Sequence, residues 1–161
     1  MLAGVWLLGT RDDLSVCLDL RYEVFCDEQG FPREIERDHL DGRSLHVAIL
    51  EEGACVATGR LTPLNHGVYR IGRLAVKKTH RGKGYGGMAL RMLMARALDA
   101  GAEKLVLGAQ LHAQDMYAHF GFAPDGEVYL EAGQPHRKMT ATRQTVRFPK
   151  KCGAPPAKSK E

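Results

Sequence analysis

Residues 2–8 form an apolar run closed by Gly9-Thr10, the pattern of a buried β-strand. Leu14, Cys17, Leu18, Tyr22 and Phe25 then recur at helical spacing, with Thr10 and Asp13 suited to the helix N-terminus. Gly30 and Pro32 end that helix near Gln29-Gly30, and the acid-rich stretch 33–42 has no apolar period, which predicts a polar loop. Three β-prone runs follow at 46–51, 54–61 and 69–76. Glu52-Gly53 and Pro63-Leu64-Asn65-His66-Gly67 separate them as turns, so an antiparallel meander is expected. Leu90, Leu93, Met94, Ala97 and Leu98 mark the apolar face of a second helix closed by Gly101. Residues 105–107 read as a short buried strand, 113–120 as a helix ending at Gly121, and 128–130 with 137–142 as a terminal β pair. This order predicts a mixed α+β fold whose mostly antiparallel central sheet is flanked by helices.

Composition narrows the function classes. A chain of 161 residues with 44% hydrophobic side chains supports one core. The pI of about 8.9 would suit nucleic acid. However, Arg147, Lys150, Lys151, Lys158 and Lys160 face only Glu161 in the tail, leaving 18 basic and 18 acidic residues elsewhere. A formally neutral domain, residues 1–146, gives no electrostatic reason to bind nucleic acid. The basic tail, 147–161, is rich in Pro, Lys, Gly and Ala from Phe148 onward and is expected to be disordered. Cys17, Cys26, Cys55 and Cys152 show no C-x-x-C pair, and no leader is recognisable, so free thiols in the cytoplasm are expected. The run 2–8 is too short to span a bilayer, and no membrane role is expected.

Chemistry concentrates in a glycine loop. Gly82, Gly84 and Gly87 match the spacing G-x-G-x-x-G, but residues 77–81 separate the preceding strand from the first glycine, and 108–110 supply no acid for a ribose. Gly82-Lys83 is followed by Gly84, where a P-loop needs Ser or Thr. A flexible turn is the plain alternative, yet glycines at the start of an apolar helix leave unpaired N–H groups open to an anion.

Residues Ile71-Gly72-Arg73-Leu74-Ala75-Val76 followed by Arg81-x-x-Gly84-x-Gly86 resemble the GCN5-related N-acetyltransferase (GNAT) motif [RQ]-x-x-G-x-[GA]. Gln110-x-x-Ala113-x-x-Met116-Tyr117-x-x-x-Gly121-Phe122 is similar to the same superfamily's N-x-x-A-x-x-L-Y-x-x-x-G-F signature. Arg21-x-x-Val24-Phe25-x-x-Glu28-Gln29-Gly30, Asp38-x-x-Asp41 and His46 resemble its ElaA/YjcF-like branch, so the resemblance spans 1–142.

The resemblance implies splayed strands forming an acetyl-CoA cleft. The amides of Arg81, Gly82, Lys83, Gly84, Tyr85, Gly86 and Gly87 would receive the pyrophosphate, while Leu74-Ala75-Val76 pairs with pantetheine and the Val76 N–H faces the thioester carbonyl. Tyr117 matches the family's proton donor, against the plain reading of a packed aromatic beside Phe120 and Phe122. Gln110 stands where Asn is usual and would keep one side-chain contact to the cofactor. No motif fixes a general base. Glu28 is the leading candidate, its alternative a solvated helix-end carboxylate, and Arg21 seven residues earlier is a candidate partner.

His46 and His112 read as structural, and His39 with Asp38 and Asp41 lacks zinc geometry, so no metal is expected. Cys26 and Cys55 have no visible base partner, which favours direct transfer over an acyl-enzyme. The expected acceptor is a small-molecule or peptide amine, and the acidic Glu34, Glu36, Asp38 and Asp41 suggest a cationic one, against the plain reading of solvated loop charges. A homodimer is expected by family analogy. The alternative function is a non-catalytic acyl-CoA-binding sensor that keeps the phosphate loop.

Overall fold

The computed structural model describes residues 1–150; Cys152 and the tail from 151 onward lie outside the described residues. The first strand is β1 (Leu2–Leu8), and Asp13 Oδ1 accepts the Ser15 amide at 2.9 Å where α1 (Ser15–Arg21) begins. The helix continues through residues 22–28 with wider winding, in which the Gln29 amide bonds the Val24 carbonyl five residues back. This winding carries Val24 and Phe25 onto the wall of the main cavity. The stretch 33–42, expected as a plain loop, contains α2 (Arg33–Glu36), and a short 3-10 turn spans Asp41–Arg43.

The remaining elements are β2 (Leu45–Glu51), β3 (Ala54–Pro63), β4 (Val68–Val76), α3 (Tyr85–Asp99), β5 (Lys104–Gln110), α4 (Gln114–His119), β6 (Ala123–Pro124), β7 (Tyr129–Glu131) and β8 (Gln134–Thr142). They form one sheet in the order β1-β2-β3-β4-β5-β8-β6, with β7 also paired to β8. Every pairing is antiparallel except β4–β5. On β4, Leu74 packs with the large cluster containing Leu90, Leu93 and Met94 of α3, whereas its neighbour Ala75 packs with Leu20 and Val24. Side chains alternate along a strand, so α1 and α3 cover opposite faces.

The parallel contact between β4 and β5 is short. Val68, Tyr69 and Arg70 pair with Lys104, Leu105 and Val106, and beyond them the strands diverge. A bulge explains the divergence: Arg60 opposes Gly72 and Thr58 opposes Ala75, so Gly59 alone faces both Arg73 and Leu74. Arg73 takes the left-handed backbone at φ 52°, a conformation that costs a non-glycine residue about 1 kcal/mol. Gly59 is required on the other side, because a Cβ there would lie 2.6 Å from Leu93 Cδ1. No helix among the described residues is long and apolar enough to cross a membrane.

Candidate active site

The wedge between the diverging strands is a cavity of about 750 Å³, within the size range of small-molecule sites. Leu74, Ala75 and Val76 form one wall and Gly108 and Gln110 the other, while Arg81, Gly86, Met116 and Tyr117 lie around it. The Lys77 amide donates to Val56 of β3 at 2.8 Å, so strand alternation turns the Val76 amide and carbonyl to the open edge. Arg81 Nε donates to that Val76 carbonyl at 3.1 Å from the cleft side. The Val76 N–H is thereby left as a donor on the unpaired edge of the sheet.

The glycine loop leads straight into α3. Gly82 and Gly84 have φ of 76° and 86°, which explains glycine at both positions, and no side chain caps the helix. The first-turn amides of Tyr85, Gly86 and Gly87 therefore have no acceptor within the helix. Gly86 also permits close approach, since a Cβ there would come 3.3 Å from Val76 Cγ2. Tyr85 turns inward: its hydroxyl donates to Glu51 Oε1 at 2.5 Å, and His80 Nε2 lies 2.9 Å from Glu51 Oε2. That cluster ties the loop to the end of β2. Gly82, Lys83, Gly84, Tyr85 and Gly87 stand off the cavity wall, which takes in their neighbours Arg81 and Gly86.

Tyr117 sits on α4, buried edge-on against Phe122 at 6.1 Å between ring centroids. Its hydroxyl has no hydrogen-bond partner within the described protein, and burial pushes its pKa up to about 12, so it stays protonated at neutral pH. Gln110 donates through Nε2 to Gln29 Oε1 at 2.7 Å, a bridge across the cleft from β5 to the end of the first helix.

Glu28 lies away from the cavity wall, its carboxylate 2.8 Å from Arg81 Nη2. The Arg21–Glu28 partnership is corrected: Arg21, fully buried, donates to Glu36 Oε1 at 2.7 Å and Asp41 Oδ1 at 2.8 Å. Arg60 completes the cluster through Asp38 at 2.7 Å and Asp41 at 3.0 Å, and Arg73 through Asp38 at 3.1 Å and Glu36 at 3.2 Å. Three arginines thus neutralise Glu36, Asp38 and Asp41, three of the four acids that suggested a cationic acceptor, and leave the exposed Glu34 outside the cluster.

Burial alone would raise the Asp41 carboxyl, but the bonds from Arg21 and Arg60 outweigh it and hold the group below the usual carboxylate range. For Glu36 burial prevails over Arg21 and the carboxyl is raised. His46 is lowered by burial, its Nε2 3.0 Å from the Asp41 carbonyl, which fits a structural residue. The Cys55 thiol is raised by its contact with Cys17 and by burial, and the Cys26 thiol by burial; neither lines the cavity.

Sequence reasoning missed the wall opposite the glycine loop. Phe31, Tyr129, Glu131 and His136 line the same cavity. His136 is the cross-strand partner of both Gln110 and Tyr129, so all three side chains share one face. No motif includes them, and the register that brings β7 and β8 against β5 is not written in any local pattern.

A family model described as the acetyltransferase (GNAT) family matches residues 12–122, more than half of the chain. The uncharacterized N-acetyltransferase YjcF of Bacillus subtilis is 36% identical over 130 residues, 80% of this chain and 92% of the relative. Protein ElaA of Escherichia coli is 35% identical over 134 residues, covering 78% and 85%. The crystal structure of E. coli ElaA superposes with a TM-score of 0.79 at 30% identity, over 88% of this chain and 99% of ElaA. An acyl-CoA N-acyltransferase from Pseudomonas aeruginosa gives a TM-score of 0.80 at 31% identity, over 88% and 100%. The divergent β4–β5 pair, the uncapped glycine-led helix beside it and this similarity along most of the chain lead to one assignment: the protein belongs to the GNAT acetyltransferase family.

Proposed function

We propose that the protein transfers the acetyl group of acetyl-CoA directly to a primary amine. The observation that carries this reading is the open edge of β4: Val76, whose amide strand alternation turns away from β3, lines a cavity that also takes in Gly86 at the start of α3 and Tyr117. The pyrophosphate meets Gly82–Gly87 amides at the positive end of a fifteen-residue helix, with Arg81 and Lys83 beside it. Pantetheine takes the hydrogen bonds that β5 leaves unmade on residues 74–76. The thioester carbonyl then lies at the Val76 N–H, which stabilises the oxyanion as the amine attacks.

The C–N bond forms at the carbonyl carbon and the C–S bond breaks. Tyr117 gives its phenolic proton to the departing sulfur and regains one from the amide nitrogen, through water. A phenol near 12 is protonated at neutral pH, so the form able to donate is the one at rest. Raised thiols at Cys26 and Cys55 support direct transfer rather than an acyl-enzyme. Free Cys17, Cys26 and Cys55 suit a reducing, cytoplasmic setting.

Calorimetric titration with acetyl-CoA, CoA and NAD(P), followed by release of free CoA thiol with an amine panel, tests the reading. Acetyl-CoA binding that Gly84→Glu abolishes, with turnover in the wild type, is expected. Binding without turnover on any amine would make the protein an acyl-CoA sensor instead, and NAD(P) binding without CoA binding would remove the reading altogether.

A further inference from the structure

We propose that His136 is the general base that accepts the proton of the incoming acceptor, with Glu131 as the partner that receives the resulting charge; this rests on the acetyl-transfer reading above. His136 is 4% exposed and lines the cavity. Its Nδ1 lies 2.8 Å from the Gln134 carbonyl, which can only accept, so Nδ1 carries a hydrogen, and in the neutral ring the lone pair is on Nε2. Nε2 in turn lies 3.4 Å from Glu131 Oε2. In the neutral ring Nε2 and Glu131 Oε2 are both acceptors. A proton delivered to Nε2 turns that opposition into an ion pair, which is the asymmetry a base requires.

The ring is also held in place. Tyr129 stacks on it at 5.8 Å and 28°, and Phe31 meets it edge-on at 6.3 Å. Gly108 leaves room for Tyr129, because a Cβ there would fall 2.4 Å from the Tyr129 hydroxyl oxygen. From β7 the titratable groups facing His136 are Glu131 and Tyr129, from β5 the uncharged Gln110, and from the segment after the first helix Phe31. Arg70 lines the same cavity, where its charge acts on Tyr129.

The base predicted from sequence is differently engaged. Glu28 is ion-paired with Arg81 and does not line the cavity. Glu131, by contrast, has half of its side chain in solvent, at 54% exposure, and passes the proton outward. In the balanced step an ammonium R–NH3⁺ loses one proton to Nε2 and becomes the nucleophile. It attacks the thioester, and the proton taken by His136 leaves to water past Glu131. The second nitrogen proton restores the one that Tyr117 gave to sulfur.

The test follows thiol release from acetyl-CoA between pH 5 and 9, with spermidine, tyramine and lysine methyl ester as acceptors. It is repeated with water as the only acceptor, since water does not titrate in that range and an acid-side fall then owes nothing to the acceptor; His136→Gln separates the protein's share from that of the CoA phosphate, which titrates at about pH 6. The expected result is that His136→Gln lowers the rate about 100-fold and abolishes the acid-side fall, while acetyl-CoA affinity and melting temperature stay within a factor of about two and a few degrees. Imidazole added to His136→Gly restores rate. Glu131→Gln, a change at a half-exposed side chain that does not threaten folding, slows turnover about tenfold.

An acid-side fall that survives in His136→Gln, or that disappears in Glu28→Gln instead, overturns the proposal while leaving acetyl transfer intact. So does an unaltered rate in Glu131→Gln. A folded wild type that releases no thiol with any acceptor removes the acetyl-transfer reading and this inference with it.

Discussion

Among single residues, Tyr117 separates a packing role from a chemical one. It is an aromatic of the core cluster, and Tyr117→Phe keeps the ring and its contact with Phe122. Because the hydroxyl bonds to nothing within the described protein, its removal leaves no buried partner unsatisfied. The expected outcome is a fall of about 100-fold in kcat with unchanged thermal stability and acetyl-CoA affinity, measured by stopped-time thiol release and calorimetry. Arg21 shows the opposite balance. Its guanidinium makes four bonds within 3.3 Å to Glu36 and Asp41 while fully buried. Arg21→Met fills the volume but leaves Glu36, Asp38 and Asp41 with only Arg60 and Arg73 as ion-pair partners among the described residues, so urea denaturation is expected to show a loss of about 3 kcal/mol. Sequence spacing alone offered Glu28 as its partner, because the acids that capture it lie 15 and 20 residues away on a folded-back segment.

At the scale of elements, the caps and bulges were legible where they depend on a single residue type, and illegible where they depend on register. Gly101 ends α3 with φ 94°, its amide bonding Leu98 and the next amide bonding Ala97. Gly121 ends α4 the same way, with its amide on Ala118 and the Phe122 amide on Tyr117. The Gly-Phe of the second motif is therefore a helix cap behind the proposed acid. Gly121→Ala forces φ 90° on a residue with a Cβ, and that Cβ would lie 2.0 Å from the Thr145 carbonyl oxygen. A destabilisation of about 2 kcal/mol or more is expected, seen as a melting temperature lowered by about 4–8 °C. The bulge at Arg73 could not be read in this way, since it exists only relative to Gly59 on the neighbouring strand. The terminal pair behaved likewise: 128–130 and 137–142 were recognised as strands, while the start of β8 at Gln134, which places His136 beside Gln110, came from pairing alone.

For the whole molecule, the cleft depends on the sheet opening on one side while a charge cluster locks α1, α2 and the β3–β4 pair on the other. That division makes fold stability depend on pH through groups that take no part in transfer. His46 is lowered by burial, so the unfolded chain binds its proton first as acid is added. Stability from His46 is complete above its unfolded value of about 6.5 and is lost as pH falls from there toward the folded value. Asp41 is lowered because Arg21 and Arg60 outweigh burial, and its contribution persists until pH falls below about 4, the unfolded carboxylate value. Glu36, raised by burial, acts in the reverse sense and eases as it protonates. Urea unfolding across pH 8 to 4 is therefore expected to show a first decline beginning near 6.5, absent in His46→Gln, before any decline owed to Asp41. A flat profile between pH 7 and 5 in the wild type, matched by His46→Gln, would overturn the lowered His46, whose Nδ1 has no partner among the described residues.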